Sequence, residues 1–219
     1  MIEIQALEFS YPDCDFQLSI NNLEVKEQEK VAIIGPSGSG KTTLLNLMSG
    51  IVLANNGSIN FGNVDIQKLS ESQRRQLRIS KIGFIFQDFE LIDYLTIEDN
   101  ILHLYRINNV IKLTKDVKAR ARDLAEKMGI SRKLKYYPAQ LSQGEKQRAA
   151  ICRALLTSPS LILADEATGN LDPTNKKLIL KLLFENVISR TATLVAVTHD
   201  YELLPFFDRV IDFQELIEK

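Results

Sequence analysis

Apolar and polar positions alternate at the start of the chain: Ile2, Ile4, Leu7 and Phe9, then Phe16, Leu18 and Ile20, followed by Leu23 and Val25. A period of two predicts strands with one face packed and one in water, the habit of antiparallel sheets. Ile59 and Phe61, bounded by Gly57 and Gly62, predict another such strand. Four runs differ. Val31–Ile34, Ile82–Phe86, Leu161–Ala164 and Leu194–Val197 are continuous and largely β-branched or apolar, as strands buried on both faces of a parallel sheet are. Val210–Phe213 suggests a further strand. Between Gln87 and Leu161 the period becomes helical. Thr96, with Asp99 three residues on, predicts a capped helix start. Val117, Ala121, Leu124 and Met128 share one helical face, and Gly129 is a natural stop. Gln143–Leu156 predicts a third helix, ended near Pro159. The pattern therefore predicts an α/β fold within one domain, 1–219. Residues 1–87 and 159–219 form a parallel-sheet core with an N-terminal antiparallel β subdomain, and 88–158 form an inserted helical subdomain.

Composition changes this picture little. The 219 residues are 45% hydrophobic, enough for one substantial core. Lysine and arginine number 27 against 28 acids, a net charge of −1, which excludes a globally basic nucleic-acid binder. The basic face formed by Lys115, Lys118, Arg120 and Arg122 reads as a solvated surface. Cys14 and Cys152 make no metal-type cluster and read as reduced thiols of a cytosolic protein. No apolar run reaches transmembrane length, and the N-terminus lacks the basic and apolar regions of a signal peptide.

The strand Val31–Ile34 runs directly into Gly35-Pro36-Ser37-Gly38-Ser39-Gly40-Lys41-Thr42-Thr43 and then a helix-like stretch from Leu44. Glycine, four residues, then Gly-Lys-Thr between a strand and a helix is the P-loop pattern of a P-loop NTPase (RecA-like) core. Glycines let the backbone close around a phosphate, and N–H groups with the positive helix end face the anion. Lys41 is placed to reach the β- and γ-phosphates, and Thr42 to ligate Mg²⁺. The strand Leu161–Ala164 ends in Asp165 and Glu166. A P-loop enzyme needs an acid at a strand end for Mg²⁺, and a second one can act on the attacking water. Two adjacent acids make little sense there for packing alone, since desolvating them is unfavourable. Ser142 with Glu145 fits a capping box at the start of the third helix.

Taken in order, these motifs resemble the ATPase subunit of an ATP-binding-cassette transporter, over nearly the whole chain. The resemblance implies that Tyr11 stacks on adenine and that Gln87 senses Mg²⁺ and couples to the transport subunit. It implies that Leu141-Ser142-Gln143-Gly144-Glu145 is the signature loop, that Asp165 is a Mg²⁺ ligand and that Glu166 is the catalytic carboxylate. It places an interface loop at Gly169-Asn170-Leu171-Asp172 and a switch histidine at His199. It also implies two copies stacked head to tail around two ATP molecules, with Ser142 and Gly144 of one copy closing on the γ-phosphate held by the other. Gln143 stands where the family usually has glycine, Glu145 where it often has glutamine, and Ala167 where many relatives have proline.

The 55 positions from Gln87 to Ser142 leave no room for the coiled coils of DNA-repair relatives, and one P-loop excludes two-cassette translation factors. The chain stops soon after Phe213, which predicts no added regulatory domain. Thr168-Gly169-Asn170-Leu171-Asp172 is similar to the lipoprotein-release and macrolide-export branch, whose permeases have few transmembrane helices and a large outer domain. A cell-division cassette acting on cell-wall hydrolases belongs to the same branch and is a competing reading. The expected partners are integral-membrane permease subunits and a second copy of the chain, without nucleic acid. The expected location is peripheral, on the cytoplasmic face of the inner membrane, with membrane contact through the permease only. Asp88–Leu102 carries the apolar residues Phe89, Leu91, Ile92, Tyr94 and Leu95, and the resemblance places the permease groove there; the alternative is that these residues pack inside the helical subdomain, as some of them are expected to do. A P-loop small-molecule kinase and a non-hydrolysing ATP switch are the alternatives of another class. The signature loop and Glu166 beside Asp165 have no use in the first, and intact Lys41, Glu166 and His199 argue against the second.

Overall fold

The computed structural model describes residues 1–12, 15–167, 176, 181, 183–185 and 192–217. Strands β1 (Ile2–Ser10), β2 (Gln17–Val25), β4 (Asn56–Phe61) and β5 (Val64–Asp65) form an antiparallel sheet in the order β2-β1-β4-β5. Strands β3 (Lys30–Ile34), β6 (Ile82–Ile85), β7 (Leu161–Asp165), β8 (Thr193–Val197) and β9 (Arg209–Asp212) form a parallel sheet in the order β6-β7-β8-β3-β9.

Side-chain alternation explains how the layers stack. Along β7, Leu161 and Leu163 enter one apolar core while Ile162 and Ala164 enter another; β8 splits Val195 and Val197 from Leu194 and Ala196 in the same way. The first core joins the parallel sheet to the inner face of the antiparallel sheet through helix α1 (Lys41–Met48). The second lies under helices α3 (Ile97–Arg106), α4 (Lys115–Lys127) and α5 (Gln143–Leu156). A sheet covered on both sides has no polar face to show, which is why its strands read as unbroken apolar runs.

The helix starts follow local chemistry. Thr96 accepts from Asp99 N at 3.2 Å, Thr114 caps α4, and the φ of +67° at Gly129 follows the end of α4. Helix α2 (Glu71–Lys81) has no counterpart in the periodicity reading. It buries only Ile79, so it carries almost no apolar stripe, although Ser70 and Gln73 form a capping box. The strand expected at Val210–Phe213 ends one residue early: Phe213 is fully buried and opens the short helix α6 (Phe213–Leu216). β9 lies at the sheet edge, and Val210 is exposed rather than covered on both faces. Cys152 is a buried free thiol whose burial pushes its pKa up to about 12, and Cys14 lies outside the described residues.

Helix α5 lies directly on β6 because Gly83 has no side chain. A Cβ there would sit 2.6 Å from the Ala154 carbonyl oxygen and 2.9 Å from Pro159 Cγ. Gly83→Ala is therefore expected to lower stability by about 1–3 kcal/mol through overpacking, read as a drop in denaturant midpoint. An unchanged midpoint would mean that α5 does not approach β6 this closely.

Candidate active site

The loop between β3 and α1 closes on itself around Lys41. The Lys41 ammonium is buried and donates to the Gly35 carbonyl at 2.9 Å and the Pro36 carbonyl at 2.6 Å, with Ser39 Oγ at 3.4 Å. Gly40 at the helix start has φ +107°, and a Cβ there would meet the Phe16 ring at 2.6 Å. Glycine is thus required twice over at this position, by conformation and by space.

A cleft of about 530 Å³ opens over this loop, and Ser37, Gly38, Gly40, Lys41, Thr42 and Thr43 line it. Tyr11, Gln87 and Glu166 reach the same cleft from three other segments. Tyr11 stands edge-on to Phe9 at 4.8 Å, and its hydroxyl is 3.3 Å from Thr43 Oγ1. Gln87 is exposed, two residues past the end of β6.

Asp165 ends β7 opposite Val197 of β8, so it sits at the carboxyl edge of the parallel sheet beside the loop. Burial raises its carboxyl above the ordinary range, opposed by a hydrogen bond from the Thr42 hydroxyl; the Glu166 charge adds to the rise and Lys41 opposes it. Glu166 holds an unusual backbone, φ +44°, with its N–H donating to the Val197 carbonyl at 3.1 Å. That turn swings the carboxylate back over the cleft, where Glu166 Oε1 lies 3.3 Å from His199 Nδ1. Strain at one non-glycine residue, stabilised by a neighbouring strand, is a common mark of a working site.

Ser142, Gly144 and Glu145 do not line this cleft. They form the first turn of α5: Ser142 Oγ accepts from Glu145 N at 3.3 Å, and Ser142 N donates to a Glu145 carboxylate oxygen at 2.8 Å. Glu145 also meets Lys133 at 3.4 Å, and its bond from the Ser142 backbone, with a smaller part from Lys133, holds its pKa below the usual carboxylate range. Gly169, Asn170, Leu171 and Asp172 lie outside the described residues.

Sequence patterns alone missed Phe16. Its spacing from Leu18 and Ile20 reads as strand, yet it precedes β2, lines the cleft and tilts against Tyr11 at 5.9 Å. The aromatic clustering Phe9-Tyr11-Phe16 just ahead of a P-loop was the available signal. A second hollow, of about 620 Å³, lies between α2, β6, α3 and α5 and is lined by Arg75, Ile79, Phe84, Ile92, Leu104 and Ile107, among others. Of the apolar residues expected at the groove, Tyr94 is 81% exposed, Phe89 is buried, and Leu91, Ile92 and Leu95 are half-buried. Phe89 is drawn in because its segment is tied down onto the helical layer.

Residues 18–169 match the protein family described as ABC transporter. The chain is 40% identical over 214 residues to the lipoprotein-releasing system ATP-binding protein LolD of Legionella pneumophila (strain Paris), covering 96% of this chain and 93% of that protein. It is also 40% identical over 194 residues to the uncharacterized ABC transporter ATP-binding protein YvcR of Bacillus subtilis (strain 168), covering 89% and 74%. Among solved structures it is similar to a dimeric ATP-binding cassette, MJ0796, bound to ADP and Pi in a post-hydrolysis state. The TM-score is 0.88 at 32% identity, covering 97% of this chain and 94% of that one. A P-loop cleft closed by paired acids on a parallel-sheet edge, within a fold shared at this level of identity, has one consistent explanation: the chain belongs to the ABC transporter family, as an ATP-binding and ATP-hydrolysing cassette subunit.

Proposed function

We propose that this cassette powers a separate membrane permease of the lipoprotein-release branch, working as two copies around two ATP molecules. The observation that carries the catalytic part is Glu166, which lines the P-loop cleft next to Asp165 in sequence and lies 3.3 Å from His199. Several relatives that are named lipoprotein-releasing ATP-binding proteins, at 37–40% identity, support the branch.

Each residue has a role in this reading. Tyr11 packs against adenine, and Phe16 narrows the same wall. The backbone of Gly35, Ser37, Gly38, Ser39 and Gly40 cradles the phosphates with Thr43, while Lys41 turns from the Gly35 and Pro36 carbonyls to phosphate oxygens. Thr42, Asp165 and Gln87 offer hydroxyl, carboxylate and amide oxygens. The Thr42–Asp165 contact already brings two of these hard ligands together, which suits Mg²⁺. A Mg²⁺ held by these residues would supply charge neutralisation for the phosphates of ATP. Glu166 takes a proton from the attacking water, and His199 holds the Glu166 carboxylate and the γ-phosphate in register. Ser142, Gly144 and Glu145 are separate from the cleft of their own chain, so they serve the cleft of a second copy. The α5 N-terminus there favours an anion by about 0.3–1 kcal/mol or more. In this reading residues 88–158 are a helical subdomain inserted in the nucleotide-binding core of 1–87 and 159–219.

Among the described residues no helix is long and apolar enough to cross a membrane, so the route to the membrane is a partner chain. The 620 Å³ hollow, with its apolar floor of Ile79, Phe84 and Leu104, is the seat for a permease segment. In this reading the protein sits on the cytoplasmic face of the inner membrane, in contact with it through the permease only. Ile107, at its rim, is 49% exposed, so Ile107→Glu should fold normally. It is expected to cut recovery of the permease roughly tenfold by placing an unpaired charge in an apolar contact. Undiminished recovery would move the docking site elsewhere.

The test of the whole reading is to tag the chain, solubilise membranes in mild detergent and identify what co-purifies. A permease with about four transmembrane helices and a large outer domain is expected. One with about six helices and no outer domain would overturn the branch, and recovery without any membrane chain would overturn the transporter reading.

A further inference from the structure

The short helix α6 lies where the register of β9 puts it. Ile34 of β3 pairs with Asp212 of β9 in parallel, so the two strands leave the sheet side by side, one into Gly35 and the other into Phe213. Asp212 accepts from Gln214 N at 2.9 Å and turns its chain into α6. At the far end, Ile217 bridges Ile20 of β2. Phe213 is thereby held, fully buried, against the loop that carries Lys41.

This one side chain touches both ends of the loop. Where a Cβ would stand on Gly35, Phe213 Cβ is 3.2 Å away and Lys41 Cδ 3.8 Å. Where one would stand on Gly40, Phe213 Cζ is 3.5 Å away and Phe16 Cζ 2.6 Å. Phe213 therefore reaches from the first glycine of the loop to the last, and two rings from opposite ends of the chain converge on Gly40. Gly40 is the residue that turns into α1, and its carbonyl accepts from Leu44 N at 2.9 Å. Its placement aims the first N–H groups of that helix. Phe213 is not part of the cleft wall, so it acts on a nucleotide only through the loop. In a close-packed interior a missing side chain is felt by its neighbours as a shift.

We propose that Phe213 is a positioning residue for ATP binding, which holds Gly35 and Gly40 at the spacing that receives the phosphates. This rests on the proposed function above, in which the loop from Gly35 to Thr43 cradles them. A loop that must be ordered when its ligand arrives binds more weakly than one already ordered by packing, and Phe213 supplies that order from behind. Asp165 ends β7 and Glu166 follows it, so the groups of the chemical step are carried by another segment. Loss of Phe213 therefore weakens binding and leaves the chemical step in place.

The experiment compares full-length Phe213→Ala with Ile4→Ala. Ile4 is fully buried in the same core but sits on β1 between Leu23 and Ile59. Both variants lose a core side chain, and only the first loses the contact with the loop. Each is read well below its unfolding temperature by calorimetric titration with Mg-ATP, by steady-state ATP hydrolysis and by amide hydrogen exchange at Leu44. Phe213→Ala is expected to weaken ATP binding roughly tenfold, to raise KM for ATP with kcat within about twofold, and to speed Leu44 exchange roughly tenfold. Ile4→Ala is expected to lower the denaturant midpoint and to change none of the three. Phe213→Met, long enough to reach Gly40, is expected to restore affinity, and the shorter Phe213→Leu is not. If Phe213→Ala does not fold, the methionine and leucine variants carry the same contrast. ATP affinity that is unchanged in the folded Phe213→Ala and Phe213→Leu variants, or lowered equally by Ile4→Ala, overturns the proposal and leaves the role of the loop intact. Unchanged ATP binding in Lys41→Ala overturns the account of the loop as the phosphate cradle, and the proposal with it.

Discussion

Glu166→Gln is expected to lower ATP turnover by roughly 10²–10⁴-fold, the range lost when a positioned general base is removed, while ATP affinity stays near wild type. The reason is that the position of this side chain is set by backbone. Its φ of +44° and the N–H bond to the Val197 carbonyl at 3.1 Å do not depend on the carboxylate. Glutamine occupies the same space and keeps a contact for His199, 3.3 Å away, but it cannot accept a proton from water. Lys41, Thr42 and the loop remain unchanged, so binding survives without chemistry. Phosphate release and equilibrium ATP binding, measured on the same preparation, separate the two effects. Wild-type turnover in Glu166→Gln would remove Glu166 from its role.

Lys41→Ala is expected to act on the opposite quantity. Charge-assisted hydrogen bonds contribute about 1.5–3 kcal/mol each, so losing two to phosphate oxygens weakens ATP binding roughly 10²–10⁴-fold. The loop geometry favours a clean result. The ammonium is held by the Gly35 and Pro36 carbonyls within its own loop, so its removal disturbs few contacts beyond that loop. Lys41→Met preserves the apolar stem and controls for packing. Calorimetric titration with ATP reads the loss directly, and unchanged binding would contradict the P-loop assignment.

The fold was legible where packing leaves a period. The antiparallel strands show period two because one face is solvated, and the core strands show none because Ile162 and Leu163 face different cores. Helix α5 was readable to its ends, Gln143 and Leu156, because the Ser142–Glu145 box and Pro159 bracket it. Helix α2 was not, since a helix burying one residue has no stripe to detect. In the site, motif spacing identified Lys41, Thr42 and Glu166, the family resemblance added Tyr11 and Gln87, and the structure brings all five to one cleft. Phe16 was hidden in a strand-like alternation. Phe213 was hidden for another reason: it reads as the last residue of a strand, and its contact with the loop comes from the register of β9 on β3. Which of the apolar residues after Gln87 pack inside was not readable, because the burial of Phe89 depends on a tertiary tie rather than on local pattern.

The separation of Ser142, Gly144 and Glu145 from the cleft of their own chain makes the central claim a statement about two copies. The direct measurement is the solution mass of Glu166→Gln by light scattering as Mg-ATP is added, with bound nucleotide quantified in the same fractions. The account predicts that the mass doubles and that one ATP is retained per chain. A protein that retains ATP yet stays monomeric at every concentration would contradict it.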